Sequence, residues 1–351
     1  MKIIHTADIH LGSKMDSSLP KSLADERKNE IRNTFLKMTE YAKENGVSAI
    51  IIAGDLFDSD NPFKKDKDFF YGVVKNCPDI DFLYLRGNHD VKAYGEETPE
   101  NLKTFSDNWT AYSYGNVNIV GTELSQSNIL SFYSTLSLPA DKINIVTLHG
   151  QTGDAAGDIN IRNLREKNID YLALGHVHKP QSGKIDDRGF YAYCGCLEGR
   201  GFDEPGNHGF ILIDTEKGLK TEFIPFAKRK IVEADVDISD VSDHFSIYKK
   251  VKESVPFNRN DIYRINLVGE ISAETEITDD AVAKYLEDLC VFVSVKDKTS
   301  RKINIKDFEN DISVRGEFVR QVMANDEYGE EEKAEIIRCG LAALSGKEFG
   351  F

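Results

Sequence analysis

The sequence predicts an α/β sandwich, two sheets face to face with helices outside, followed by a smaller α+β domain. Three observations carry this. Short continuous apolar runs such as Val47–Ala53 recur through roughly the first 225 residues, the pattern of strands buried on both faces. Segments with one apolar face and one charged face lie between several of them, as crossover helices do. After Phe226 the texture changes to a compact strand–helix–strand–helix–strand order.

Taken in order, Lys2–Ala7 reads as a strand. Ser22–Asn45 reads as a helix with Ile31, Phe35, Met38 and Ala42 on one face, stopped by Gly46. Strands follow at Val47–Ala53, Phe82–Leu85, Ile143–Leu148 and Asp170–Leu174, with helices expected near Asp66–Lys75, Asn128–Leu136 and Ile161–Asn168. Gly209–Asp214 and Thr221–Pro225 are late strands. In the smaller domain, strands Ile231–Val236, Asp261–Val268 and Cys290–Val295 alternate with helices Val241–Glu253 and Asp279–Leu289. Ser313–Leu344 reads as a Glu-rich helical stretch that packs on a domain or a partner.

With 351 residues, 40% hydrophobic and 29% charged, the composition is that of a soluble globular protein of more than one domain. No run is long enough to span a membrane. Met1–His5 goes straight into a strand pattern, unlike a signal peptide. Five cysteines without framework spacing fit a reducing cytoplasm. Cys194-Gly195-Cys196 has no second pair to complete a zinc site. A net charge of −15 argues against a basic nucleic-acid stripe. Any DNA contact must then be local, metal-assisted or shared with a partner.

Five of the eight histidines cluster with Asp and Asn just after strand-like runs. The segments are Asp8-Ile9-His10, Gly54-Asp55, Gly87-Asn88-His89-Asp90, His149-Gly150 and Gly175-His176-Val177-His178. Residues two apart in an extended segment point the same way, so Asp8 with His10, and His176 with His178, can converge. The glycines permit tight turns. Two divalent ions about 3.5–4 Å apart need a shared ligand to offset their repulsion. Asp55 is the natural shared carboxylate, while neutral His and Asn fill other positions. Such a pair acidifies a shared water and clamps phosphate oxygens, which points to phosphoester chemistry. Oxygen and nitrogen donors without thiolate favour manganese, iron or zinc.

This ordered set, with Gly54-Asp55-Leu56-Phe57-Asp58 in its second segment, resembles the calcineurin-like metallophosphoesterases. The opening His5-Thr6-Ala7-Asp8-Ile9-His10-Leu11-Gly12 and the block Leu174 to Gln181 narrow the likeness to the DNA-repair nuclease branch, of the bacterial SbcD and meiotic recombination nuclease type. The resemblance implies a four-layer α-β-β-α sandwich over residues 1–226. The α+β domain over 227–310 has the position and strand–helix order of that branch's capping domain, and the helical segment read from the residues completes the chain over 311–351. It implies that Asp8, His10, Asp55 and His178 hold one metal, and Asp55, Asn88, His149 and His176 the other, typically manganese. His89 would act as general acid. It further implies DNA as substrate and an SbcC-like, SMC-type coiled-coil ATPase as partner of a homodimer.

Asp58, three residues past the shared carboxylate, is expected to hydrogen-bond His89 and favour its imidazolium form. Where the nuclease branch has a Ser-Gly-Ser-type turn and a Glu-Arg pair, this chain reads Cys194-Gly195-Cys196-Leu197-Glu198-Gly199-Arg200. Two other readings are open: a phosphodiesterase acting on cyclic nucleotides or other small phosphoesters, and a scaffold of the same fold without catalysis. His5 reads as a core histidine, Asp90 as a loop hydrogen-bonder, His208 as a turn residue and His244 as surface or core. The basic clusters Lys64-Lys65 with Lys67, Lys228-Arg229-Lys230, and Lys296 through Lys302 could meet phosphates or simply be solvated.

Overall fold

The computed structural model describes residues 1–15, 18–90, 98–241, 243–272, 275, 277–302, 308 and 311–344. Positions 345–351 of the expected helical segment lie outside the described residues. By internal contact the chain divides into two compact units. One holds Met1–Glu233, Asn258–Arg264 and Cys290–Phe292, the other Ala234–Phe257, Ile265–Leu289 and Val293–Phe351.

The first unit opens β1 (Lys2–Thr6), α1 (Lys21–Glu44), β2 (Val47–Ala53), α2 (Lys64–Lys75), β3 (Asp81–Leu85) and β4 (Leu102–Thr104). It continues β5 (Thr110–Tyr114), β6 (Val117–Gly121), α3 (Phe132–Thr135), β7 (Ile143–His149), β8 (Tyr171–Gly175), β9 (Gln181–Lys184), β10 (Phe190–Tyr193), β11 (Gly209–Asp214) and β12 (Lys220–Pro225). Two six-stranded sheets result, ordered β12-β11-β1-β2-β3-β4 and β5-β6-β7-β8-β10-β9.

Side-chain parity builds the layers. Ile3, Ala49, Ile51 and Leu83 face the second sheet and join Ile119, Ile145, Tyr171 and Ala173 in the central core. Their neighbours Ile4, Ile50, Ile52 and Phe82 point the other way, onto Ile31, Phe35 and Met38 of α1 and Phe70 and Val74 of α2. That alternation, one residue in and the next out, is why these strands read as unbroken apolar runs. The outer face of the second sheet is covered differently. Val146, Leu148, Leu172 and Leu174 pack on Phe132, Leu136, Leu138, Ile159 and Leu164.

That outer layer corrects two expected helices. Asn128–Leu136 shrinks to four helical residues. Here Ser131 Oγ donates to the Asn128 carbonyl, Ser134 Oγ to the Ser131 carbonyl, and Asn128 Oδ1 accepts from Ser125 N, the local side-chain bonding that competes with helix. Ile161–Asn168 contains only a 3₁₀ turn at Ile161–Leu164. Glu166 and Asn168 adopt φ 59° and 60°, which no right-handed helix accommodates.

His5, mid-strand in β1, is fully buried. Its Nδ1 lies 2.8 Å from Tyr171 Oη and its Nε2 3.2 Å from the Leu174 carbonyl oxygen. Burial, opposed by the Leu174 bond, lowers its pKa from 6.5 to about 3. The unfolded chain therefore takes up a proton that the folded chain refuses between those values. Stability is fully present above pH 6.5 and declines as pH falls toward 3. Urea unfolding near neutrality and at about pH 5 should show about 2 kcal/mol of this loss in the wild type and not in His5→Gln. Equal pH slopes in both would remove His5 as the cause.

Beyond β12, the chain forms β13 (Ile231–Asp237), α4 (His244–Ser254), β14 (Ile262–Val268), β15 (Glu270–Ile271), α5 (Asp279–Leu286), β16 (Phe292–Asp297), β17 (Ser300–Arg301), α6 (Val314–Met323) and α7 (Glu330–Leu344). Sheet order is β13-β14-β16, with β15 paired to β17. The helical stretch expected over Ser313–Leu344 is two helices. Asn325, whose Oδ1 accepts from Glu327 N, and Gly329 make the break. Among the described residues no helix is long and apolar enough to cross a membrane.

Candidate metal centre

The strands deliver their polar residues to one edge. β1 runs on to Asp8 and His10, β2 to Asp55, and β3 to Asn88 and His89. β7 ends on His149, and β8 is followed by His176 and His178. β1, β2 and β3 pair in parallel, as do β7 and β8, so the ends within each sheet exit together.

How they converge differs from the extended alternation expected. Asp8, His10, Asp55 and His176 adopt φ values of 50°, 51°, 50° and 103°. An L-residue held there costs roughly 1–2 kcal/mol. Only seven described non-glycine residues have positive φ, and these four are all ligand candidates, the concentration of strain that marks a functional site. Tight turns, not pleated strand, aim the side chains inward. Two glycines let the loops close. A Cβ on Gly54 would fall 2.0 Å from His149 Nδ1, and one on Gly87 2.1 Å from Asp55 Oδ1.

Asp8, His10 and His178 bring one donor atom each within 4.8 Å of one another, and so do Asp8, Asp55 and His149. Asp55 Oδ2 lies 3.4 Å from His149 Nε2 and 4.0 Å from His10 Nε2. Asp8 and Asp55 thus both stand between the two halves. Asn88 Oδ1 lies 3.0 Å from His149 Nε2 and 3.1 Å from His176 Nδ1. Asp8, His10 and Asp55 are buried, whereas Asn88, His89 and His176 are exposed, so the centre opens on one side.

The donor set fits cations. The Ala53 carbonyl, 2.9 Å from His149 Nδ1, can only accept, so that nitrogen carries the ring proton. His149 Nε2 then turns a lone pair toward Asp55 and Asn88 oxygens. Likewise Glu204, 2.7 Å from His178 Nδ1, leaves Nε2 facing Asp8 Oδ1 at 3.8 Å and His10 Nε2 at 3.3 Å. Lone pairs pointed at carboxylates repel unless positive charge lies between them, a metal ion or, without one, a proton. Burial opposes the imidazolium of His149, but Asp55, Asp8 and the Ala53 bond outweigh it and raise its pKa to about 9. Asp55 is correspondingly held well below the carboxylate range, its desolvation outweighed by His149, the His89 N–H and His10.

The calcineurin-like phosphoesterase family profile matches residues 1–180. This chain is a calcineurin-like phosphoesterase. Among its relatives, a DNA double-strand break repair protein Mre11 from Saccharolobus solfataricus is 26% identical over 337 residues, covering 87% of this chain and 84% of that one. The SbcD component of the SbcCD nuclease from Staphylococcus epidermidis is 24% identical, covering 76% and 79%. An uncharacterized metallophosphoesterase, YhaO, of Bacillus subtilis is 24% identical, covering 72% and 67%. Calcineurin-like phosphoesterases are dimetal hydrolases, and this one carries its candidate metal-binding groups within the matched segment.

Within this phosphoesterase, His89 donates its backbone N–H to Asp55 Oδ1 at 2.9 Å, and its ring centroid lies 5.3 Å from that of His10. The expectation that Asp58 pairs with His89 gives way. Asp58 Oδ1 approaches His10 Nδ1 at 3.0 Å, off the line of a hydrogen bond, and accepts from Arg200 Nη1 at 3.1 Å. A charged guanidinium from a distant loop takes the carboxylate instead. Asp90 is a clamp for the turn, accepting from Leu56 N, Phe57 N, Gly87 N and Tyr84 Oη.

Two residues that sequence reasoning passed over stand directly behind the ligands. Glu204 accepts from His178 Nδ1 and from Arg200 Nη2 at 2.6 Å, and Arg200 bridges on to Asp58. The only sequence hint is the charged pair in Arg200-Gly201-Phe202-Asp203-Glu204 after a strand. Their loop is itself anchored on α1. Arg27 donates to Glu198 and to the Gly199 carbonyl, and Thr34 to Glu198. Lys228 and Arg229 pair with Glu26 and Glu30 of α1. Cys194 and Cys196 are buried, with Cys196 Sγ 3.2 Å from His208 Nδ1, and burial pushes both thiols up. His208 is buried and bonded to Cys196 just before β11, while His244 Nε2 accepts from Thr278 N.

Proposed function

We propose that this chain is a two-cation DNA phosphodiesterase of the SbcD type, with manganese as its metal. The convergence of Asp8, His10, Asp55, Asn88, His149, His176 and His178 carries the reading. It is supported by relatives named for double-strand break repair and as part of a nuclease. Asp8, His10, Asp55 and His178 hold one cation, and Asp55, Asn88, His149 and His176 the other. The pair supplies positive charge to the phosphate oxygens and acidifies water near neutral pH. His89, exposed beside Asp55, gives its proton to the leaving oxygen. By the same resemblance, a dimer works with an SMC-type coiled-coil ATPase of the SbcC kind. That partner supplies the phosphate affinity a chain of net charge −15 lacks.

The test uses manganese-loaded protein with two substrates, linear duplex DNA and bis(p-nitrophenyl) phosphate. Cleavage of both is the expected result. DNA left intact beside rapid hydrolysis of the small ester would replace the nuclease with a small-phosphoester enzyme. Bound manganese without turnover of either would leave a scaffold.

A further inference from the structure

We infer that Glu204, locked by Arg200, is a positioning residue that makes the two cation sites unequal. The inference rests on the metal reading above but concerns residues outside the ligand set. Each half of the centre has a histidine whose far nitrogen is fixed by a different kind of acceptor. His149 Nδ1 meets the Ala53 carbonyl at 2.9 Å, a neutral dipole. His178 Nδ1 meets Glu204 Oε1 at 2.7 Å, a full charge. A carboxylate behind an imidazole fixes its tautomer and raises the basicity of the nitrogen that faces the metal.

Two donors compete around Glu204. Arg200 Nη2 lies 2.6 Å from Glu204 Oε1 and 3.1 Å from His178 Nδ1. Were the guanidinium donating to Nδ1, the ring proton would sit on Nε2 and His178 could not ligate. The shorter contact decides otherwise. Glu204 accepts only, so ring and guanidinium both donate to it and merely lie side by side. Arg200 N and Nε also donate to Glu204, at 2.7 and 3.0 Å. Its Nη1 holds Asp58, whose oxygen lies 3.0 Å from His10 Nδ1. One guanidinium therefore secures the carboxylates behind two ligands of the same cation, and none behind His149. Glu204 is 3% exposed, so its bonds to His178 and Arg200 are shielded from water. This brace assigns the tighter site to Asp8, His10 and His178.

Metal-free protein is titrated calorimetrically with Mn²⁺, and bound metal is counted by elemental analysis. The wild type should take up two ions; none bound would overturn the metal reading and this inference together. With two bound, Glu204→Ala should weaken one ion about 10–100-fold and leave the other in place. Arg200→Met should weaken the same ion. Glu204→Gln, close in shape and still able to accept from Nδ1–H, should lose less. Unchanged affinities, or both ions weakened alike, would overturn the inference while the metal reading stands. Independently of any variant, histidine ¹⁵N spectra of the zinc-loaded wild type should show His178 protonated on Nδ1. A proton on Nε2 would also overturn it.

Discussion

Replacing Asp55 by Asn should reduce phosphodiester hydrolysis roughly 10³-fold or more, the loss of several kcal/mol of transition-state stabilisation. Charge is the cause. Asp55 is 1% exposed and reaches toward both His10 and His149 with a single oxygen. Asparagine keeps the shape and can still accept from the His89 N–H, so the loop should hold. What disappears is the negative charge that offsets two cations brought close together. The far-ultraviolet circular dichroism should be unchanged, while Mn²⁺ stoichiometry falls below two. Full activity with two ions retained would show that Asp8, which also stands in both clusters, carries the shared role alone.

His89→Gln should lower DNA cleavage roughly 10²–10⁴-fold, the range of general acid catalysis. Manganese stoichiometry should not change, because His89 belongs to neither cluster of candidate ligands. The leaving group gives the sharper readout. A departing alkoxide from DNA needs a proton, whereas p-nitrophenolate is stable without one. The variant should therefore lose far more activity on DNA than on bis(p-nitrophenyl) phosphate. Equal losses on both substrates would move His89 from proton donor to a residue that merely shapes the loop. Asp58 does not hydrogen-bond it as expected, since its carboxylate accepts from Arg200 and lies beside His10.

Much of the sandwich could be read directly because its strands are buried on both faces. Val47–Ala53 and Gly209–Asp214 coincide with the observed strands, and the helix face Ile31, Phe35, Met38 and Ala42 is buried as its spacing requires. Short polar stretches misled. Around Asn128 and Ser131 an apparent helical spacing is overridden by serine and asparagine side chains bonding the local backbone. The β5–β6 hairpin escaped notice because its exposed strand, Thr110–Tyr114, alternates weakly. Gly115-Asn116, with Gly115 at φ 62°, was the usable turn signal.

By itself the sequence determined which residues could ligate and on which strand ends they stand. Those are local properties, set by apolar runs and by side chains a few positions beyond them. Only the tertiary structure decided the conformations and partners. Asp8, His10 and Asp55 reach inward through left-handed turns, and His10 meets His178 across 168 positions. Arg200 finds Asp58 142 positions earlier in the chain. A charged group in a buried site pairs with whichever opposite charge the packed fold brings within reach, and no spacing along the chain specifies that choice.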